Sequence, residues 1–564
     1  MKSLSFYFVL LVTFCFFHAT NAQSQYTNVD APLGTNMFRV TDYSPTWVFV
    51  DAFKASRDWL PQRKDVWDTG ETLNLDSQGW VRSLASNQWA GTLLYRGILG
   101  KYPAGDYLLK FDGEGEIEIG FDATIISESP GEKVLRVSPS HDGILFRIKS
   151  TNPANYIRNI KVLLPGYWNT YETELFHPLF IQSLNPFKVI RFMDWQHTNF
   201  SSVENWNERT TPEHNTQAGS QGVALEHMLA LCNRVKADPW FCMSDIATDD
   251  YIQQFATMVK NNLDPKLRVY IEHSNEVWNS GFSQAGRVQA AGLALWPELN
   301  TPTGKFEARM RMHGQRSGEI FDIWESVFGG TDQLVRVIAS QHANSWTANK
   351  ALEWNDVYLK TDALATAPYW GNELGDPDKG LNTPSQTVDW ILDYCESDIE
   401  TERVRTRVNK TVADSFGVDL IAYEGGQHMA PLDEWTNNST LNDKFYAANR
   451  HPRMQELYRE YIQGWKEDGG GVFTAFTLQG SYSKSGSWGL LEYMDQSYLS
   501  APKYLGLVEG GHGGLEILAI PALSKEGLML LTGVFGVAGA LVFSKYNRDS
   551  AFVEAPEPHE SDAE

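Results

Sequence analysis

Two glutamates in this chain stand where chemistry could be done. In RVYIEHSNEVWN, residues 268–279, a short apolar alternation stops at a polar cluster containing Asn275, Glu276 and Trp278. Val269 and Ile271 fall to one side and Tyr270 and Glu272 to the other, the period of a strand, so Glu276 lies just past a strand end. In DLIAYEGGQH, residues 419–428, a second apolar strand ends in Glu424, followed by Gly425 and Gly426. A carboxyl beside an amide and an indole suits a sugar. The acid can transfer a proton or attack, the amide bonds hydroxyls, and the indole stacks on the apolar face of a pyranose. Either acid alone reads more readily as a solvated loop carboxylate, and only a scaffold that brings the two together changes that.

A barrel of eight parallel strands does so, because its C-terminal strand ends converge on one mouth. Eight short apolar strands alternate with helical stretches, as a parallel α/β unit requires. The predicted strands cover residues 160–166, 188–195, 239–244, 268–273, 334–341, 363–370, 419–426 and 471–478. Helical periods follow Gly222, Asp249 and Arg453. The count places Asn275-Glu276 on strand four and Glu424 on strand seven.

At those positions the chain resembles the retaining clan A glycoside hydrolases, a cellulase/mannanase-like superfamily with Asn-Glu after the fourth barrel strand and a second Glu after the seventh. The likeness spans roughly residues 160–489. It implies a (β/α)8 TIM barrel and a β-linked polysaccharide or oligosaccharide as substrate. It also assigns Glu424 as nucleophile and Glu276 as acid/base, with carboxyls about 5–5.5 Å apart. Spacing alone is symmetric between the two, so the order of roles comes from the resemblance. The charge of Glu424 is expected to raise the pKa of Glu276 and keep it protonated until the sugar esterifies Glu424.

Further expectations attach to Arg191, Asn275 and Tyr369. Arg191 closes the second strand, where the clan often steadies its nucleophile with an arginine; a structural ion pair is the other reading. Asn275 is expected to bond the sugar 2-hydroxyl, and Tyr369 to bond Glu424 or pack as a core tyrosine. The cellulase and mannanase branch has His-x-Tyr there, whereas this chain has Ala367-Pro368-Tyr369. Trp195, Trp278, Trp370 and Trp488 lie at or beyond strand ends, as sugar platforms or rim packing. His342 follows the fifth strand, facing the mouth or serving structure. The second function class is a barrel that keeps a sugar cleft without turnover and acts as a carbohydrate-binding protein.

The remaining features frame this reading. With 564 residues, two folded units plus appendages are expected. A formal charge of −23 and the absence of a basic stripe argue against nucleic acid. No phosphate loop and no metal-ligand spacing occurs, so no cofactor is expected. Residues 1–22 have the layout of a secretory signal. Residues 23–157 alternate apolar and polar between turns, as an antiparallel β-sandwich-like domain, with the barrel at 158–506. Residues 507–524 read as a Gly-rich linker, and 525–545 as a transmembrane or sorting segment. Lys545 and Arg548 directly follow its apolar run, which sets the catalytic part outside. Ile520-Pro521-Ala522-Leu523-Ser524 resembles the start of bacterial C-terminal sorting tails. The acidic tail 546–564 argues against a lipid-anchor signal. After removal of the leader three cysteines remain, Cys232, Cys242 and Cys395, either with a 232–242 bridge or as buried thiols. Asn199, Asn409, Asn437 and Asn438 head N-glycosylation triplets.

Overall fold

The structure, a computed structural model, describes residue 28 and residues 31–513. Eight parallel strands close a barrel: β1 (Leu33–Asn36), β2 (Val189–Arg191), β3 (Asp238–Met243), β4 (Val269–His273), β5 (Leu334–Ala339), β6 (Ala363–Thr366), β7 (Asp419–Ala422) and β8 (Phe473–Ala475). The ring is completed by β8 pairing with β1. Strand alternation fills the barrel with Val189, Trp240, Tyr270, Val335, Val337, Ala365, Ile421 and Tyr423. The opposite faces put Ile190, Phe241, Ile271, Ile338, Leu364 and Leu420 under the helices.

The outer helices follow from local sequence. In Asp249–Asn262 the Thr248 side chain accepts from the Tyr251 N–H, and Asp249 and Asp250 occupy the positive first turn. Ile252, Phe255, Ala256 and Val259 recur every three or four residues and are the buried stripe. Helix Val388–Phe416 is capped by Thr387 and ends at Gly417 with φ +70°, a left-handed stop that suits glycine.

The first barrel strand is not residues 160–166. Residues 158–163 pair antiparallel with 105–112 in a four-stranded sheet, and a second such sheet holds residues 60–62, 89–94, 144–151 and 115–121. The antiparallel unit therefore does not precede the barrel but is inserted between β1 and β2. Alternation at Ile160 and Val162 fits either sheet type, so it could not decide. The true first strand, Leu-Gly-Thr-Asn, has one large apolar residue, and a Cβ at its Gly34 would lie 2.3 Å from Thr474 Cγ2. Residues 33–36 take the first place in the ring that 160–166 was expected to hold, so the count is unchanged, and Glu276 and Glu424 do follow strands four and seven. Buried side chains of both sheets, such as Tyr107 and Leu109 in one and Ile117 and Phe146 in the other, belong to one cluster with the barrel's outer layer.

The start of the expected linker is also different. Pro502–Gly511 is a helix with Leu507 and Val508 buried. Its glycines permit close approach to the helix Arg453–Glu467: a Cβ at Gly506 would lie 2.1 Å from the Gln455 carbonyl oxygen. No helix among the described residues is long and apolar enough to cross a membrane. The leader at 1–22, the segment 525–545 and the tail 546–564 lie outside the described residues. Cys232, Cys242 and Cys395 are buried free thiols, so the 232–242 bridge is not formed. Of the four glycosylation triplets, Asn409 is fully buried, donating to the His342 and Arg405 carbonyls. Asn438 caps the helix Ser439–Arg450, whereas Asn437 is exposed. His342 does not face the mouth; it is buried beside Thr366 and Glu402.

Candidate active site

Barrel register builds the site before any side chain is considered. Asn36 on β1 pairs with Arg191 on β2, Arg191 with Trp240 on β3, and Cys242 on β3 with Glu272 on β4. These residues form a polar layer beneath the C-terminal mouth, and Arg191, fully buried, is its hub. Its Nε and Nη2 each donate to Glu272 at 3.0 Å. Nη1 donates to Glu424 Oε1 at 2.7 Å and to Asn36 Oδ1 at 3.1 Å. Nη2 also reaches Asn275 Oδ1 at 2.8 Å. The rings of Tyr423 and Trp240 lie 5.0 and 5.6 Å from the guanidinium carbon, adding cation–π attraction. A buried guanidinium needs this many acceptors, because an unpaired buried charge is costly.

The two glutamates sit in different settings at that mouth. Glu424, two residues past the end of β7, accepts from Arg191 on Oε1 and from the Tyr369 hydroxyl on Oε2 at 2.9 Å. Glu276, at φ +41°, accepts from the Tyr423 hydroxyl on Oε1 at 2.9 Å and from Asn279 Nδ2 on Oε2 at 2.8 Å. Burial, and then the charge of Glu424, push the Glu276 pKa up to about 7. Tyr423 also ties the pair together, since it precedes Glu424 in sequence and bonds Glu276. Asp194, at the same mouth, is likewise pushed up to about 7 by burial and by Glu424.

Of the residues singled out from sequence, Glu276, Glu424, Arg191, Asn275 and Tyr369 are brought together. Asn275 is oriented by Arg191 and donates to Asn199 Oδ1 at 3.1 Å, and Gln284 donates to that same oxygen. Asn199 is thus engaged in the site rather than presented for glycosylation. Trp488 belongs to the mouth, edge-on to Tyr369 and His428 with centroids 6.1 and 4.8 Å away. Trp195 and Trp370 have no face open to a sugar. Trp195 is 1% exposed, stacks on Phe180 and donates to the Phe38 carbonyl. Trp370 is 0% exposed and packs on Tyr458 and Tyr461. Trp278 is partly buried beside Val277, Val288 and Met310. An indole at a strand end seals the helix layer as readily as it presents a platform, and sequence does not tell which side it takes.

Asn36, Glu272, Tyr423, Asn279, Asn199 and His428 also border the two glutamates and their partners, with no sequence expectation attached to them as site residues. Glu272 had a signal. The alternation already turned it inward with Tyr270, and an acid inside a barrel demands a buried cation, which Arg191 supplies. The aromatic pair Phe200 and Phe282, centroids 5.9 Å apart, flanks Asn199 and the helix that follows Glu276. Among the described residues no group of three or more His, Cys, Asp or Glu side chains is disposed to hold a metal ion.

No protein-family model matches the chain, and a search of curated proteins returns no match. Solved structures do overlap with it at low identity. A GH51 arabinofuranosidase from Xanthomonas axonopodis pv. citri is 10% identical over 60% of this chain and 66% of that one, with a TM-score of 0.39. This is just under two thirds of that protein's length. A GH5-4 broad specificity endoglucanase from Ruminococcus flavefaciens is 10% identical over 58% and 86%, TM-score 0.36. A GH5 xyloglucan-specific β-1,4-glucanase from a ruminal metagenomic library, in complex with XXLG, is 11% identical over 60% and 87%, TM-score 0.33.

Proposed function

We propose that the protein is a retaining glycoside hydrolase of the clan A type, acting on a β-linked polysaccharide or oligosaccharide. The observation that carries this reading is the unequal setting of two glutamates at one barrel mouth. Glu424 is held by a cation and a phenol, whereas Glu276 is held by neutral donors and pushed towards its protonated form. In the first step a Glu424 oxygen attacks the anomeric carbon while Glu276 gives its proton to the departing glycosidic oxygen. The glycosidic bond breaks as a glycosyl ester forms. Esterification removes the charge on Glu424, so Glu276 becomes the stronger acid and its carboxylate form prevails. In the second step Glu276 takes a proton from water, the water oxygen attacks the anomeric carbon, and the ester bond breaks.

The test is stereochemical. Once a screen over β-glucans, mannans, xylans and galactans identifies a cleaved substrate, proton NMR of the first product should show the β-anomer before mutarotation. Initial release of the α-anomer would replace this mechanism with an inverting one.

A pH dependence follows from Glu276. The acid form is the active one for the first step, and it is present below its pKa and lost as pH rises through about 7. The basic limb of kcat/KM, which reports the free enzyme, should therefore fall near neutrality. A profile flat from roughly pH 6 to 9 would remove Glu276 from the role of proton donor.

A further inference from the structure

The loop that leaves β1 begins in the polar layer at Asn36 and runs within a few residues into a second concavity. This cleft, of about 290 Å³, lies between residues 39–43 of the barrel, residues 57–60 that lead into the antiparallel insertion, and Ala218. Clefts for small molecules begin near this size, at roughly 300 Å³. Part of its wall is rigid: Arg57 donates through Nε and Nη2 to one oxygen of Asp42, at 3.0 and 2.6 Å, and Asp42 is buried. The rest is open. Tyr43 is 52% exposed, Asp58 is exposed and Arg39 is half-buried.

The charges of this lining balance, two arginines against two aspartates, on a chain whose formal charge is −23. An anionic sugar gains no net attraction here and meets general repulsion from the rest of the molecule. A neutral sugar meets a phenol ring for its apolar face, a carboxylate to accept from its hydroxyls and a guanidinium to donate to them. The cleft also adjoins the catalytic layer, since the Asp194 carboxylate lies within electrostatic range of both Arg39 and Glu424.

We propose that this cleft is a remote subsite for a neutral sugar unit of the same saccharide whose reacting unit lies at Glu424, with Arg39, Tyr43 and Asp58 as its contacts. This rests on the glycosidase reading and deepens it. It gives the segment that leads into the inserted sheets a part in substrate binding, and it makes the preferred substrate a longer saccharide instead of a monoglycoside.

Two measurements test it, one independent of turnover. The first is kcat/KM from disaccharide to hexasaccharide of the cleaved sugar, for wild type, Tyr43→Ala and Asp58→Ala, with unfolding midpoints checked. The wild type should favour the hexasaccharide, and each change should reduce that advantage roughly tenfold, the loss of one hydrogen bond to a charged group or of one ring contact. The loss should fall on KM and not on kcat. The second is calorimetric binding of β-1,4-linked gluco-, manno- and xylo-hexaoses by Glu424→Ala, alone and combined with either change, where the bound hexaose should lose a similar factor. Unaltered length dependence and affinity in the variants would overturn the subsite, as would equal losses on disaccharide and hexasaccharide. If nothing is cleaved but hexaose binding weakens in the variants, the cleft stands and the catalytic reading falls. If no hexaose binds and none is cleaved, both fall.

Discussion

Glu424→Ala is expected to abolish turnover, by at least about 10⁴-fold, because no glycosyl ester can form without its carboxylate. Saccharide binding should largely survive, since Tyr369 and Trp488 remain at the mouth. Glu276→Ala is expected to behave differently. Substrates with poor leaving groups should lose about 10²–10⁴-fold, the usual worth of a positioned acid. Aryl β-glycosides should form the ester nearly as before, because a phenolate departs without a proton. The variant should then stall at the ester, as water attacks slowly without a base. Azide needs no deprotonation, so adding it should restore turnover and release a β-glycosyl azide, the ester C–O bond breaking as the C–N bond forms. The measurement is aryl glycoside turnover by wild type and both variants, with and without azide. Unchanged rates in either variant would sink the assignment of roles. A wild type that binds saccharides and cleaves none would leave the carbohydrate-binding reading in its place.

The barrel was legible where strands carry strong alternation and caps are explicit. β4 shows this best, because Val269, Tyr270, Ile271 and Glu272 alternate strictly and the structure keeps both faces as read. β1 was illegible for the opposite reason. Four residues with a glycine forced by Thr474 contain no period to detect, and the chain then leaves the barrel for over a hundred residues. The inserted strands look like any others, because hydrophobic alternation reports that one face is buried without saying against what. The site divides the same way. Acids and an arginine at strand ends announce themselves by type, but Tyr423 and Asn36 do not, since a barrel-lining tyrosine and a strand-end asparagine are ordinary residues until register places them. The tryptophans are uneven markers: Trp488 reaches the mouth, whereas Trp195 and Trp370 turn towards the helix layer, a matter of side-chain direction that composition cannot carry.

Arg191→Met is expected to be among the most destabilising single changes in the barrel. Glu272 is wholly buried, and its carboxylate depends on Arg191, Trp240 and Cys242 for partners. Burial pulls its pKa up while the Arg191 guanidinium opposes that pull most strongly. Removing the cation leaves a buried carboxylate that must be protonated or hydrated in a site too tight for either to be cheap, at a cost of about 3–5 kcal/mol. Glu424 loses a partner too, but at the mouth it can recruit solvent. The distinguishing experiment is the double variant. Arg191→Met with Glu272→Gln removes both charges and keeps an acceptor for the Trp240 N–H, so it should be more stable than Arg191→Met alone, a favourable coupling of contacting residues. Urea unfolding midpoints of wild type, both single variants and the pair measure this. A single Arg191→Met variant that unfolds at the wild-type midpoint would mean that Glu272 is already neutral. The Arg191 layer would then be a hydrogen-bonded network rather than the ionic hub that fixes Glu424 in place.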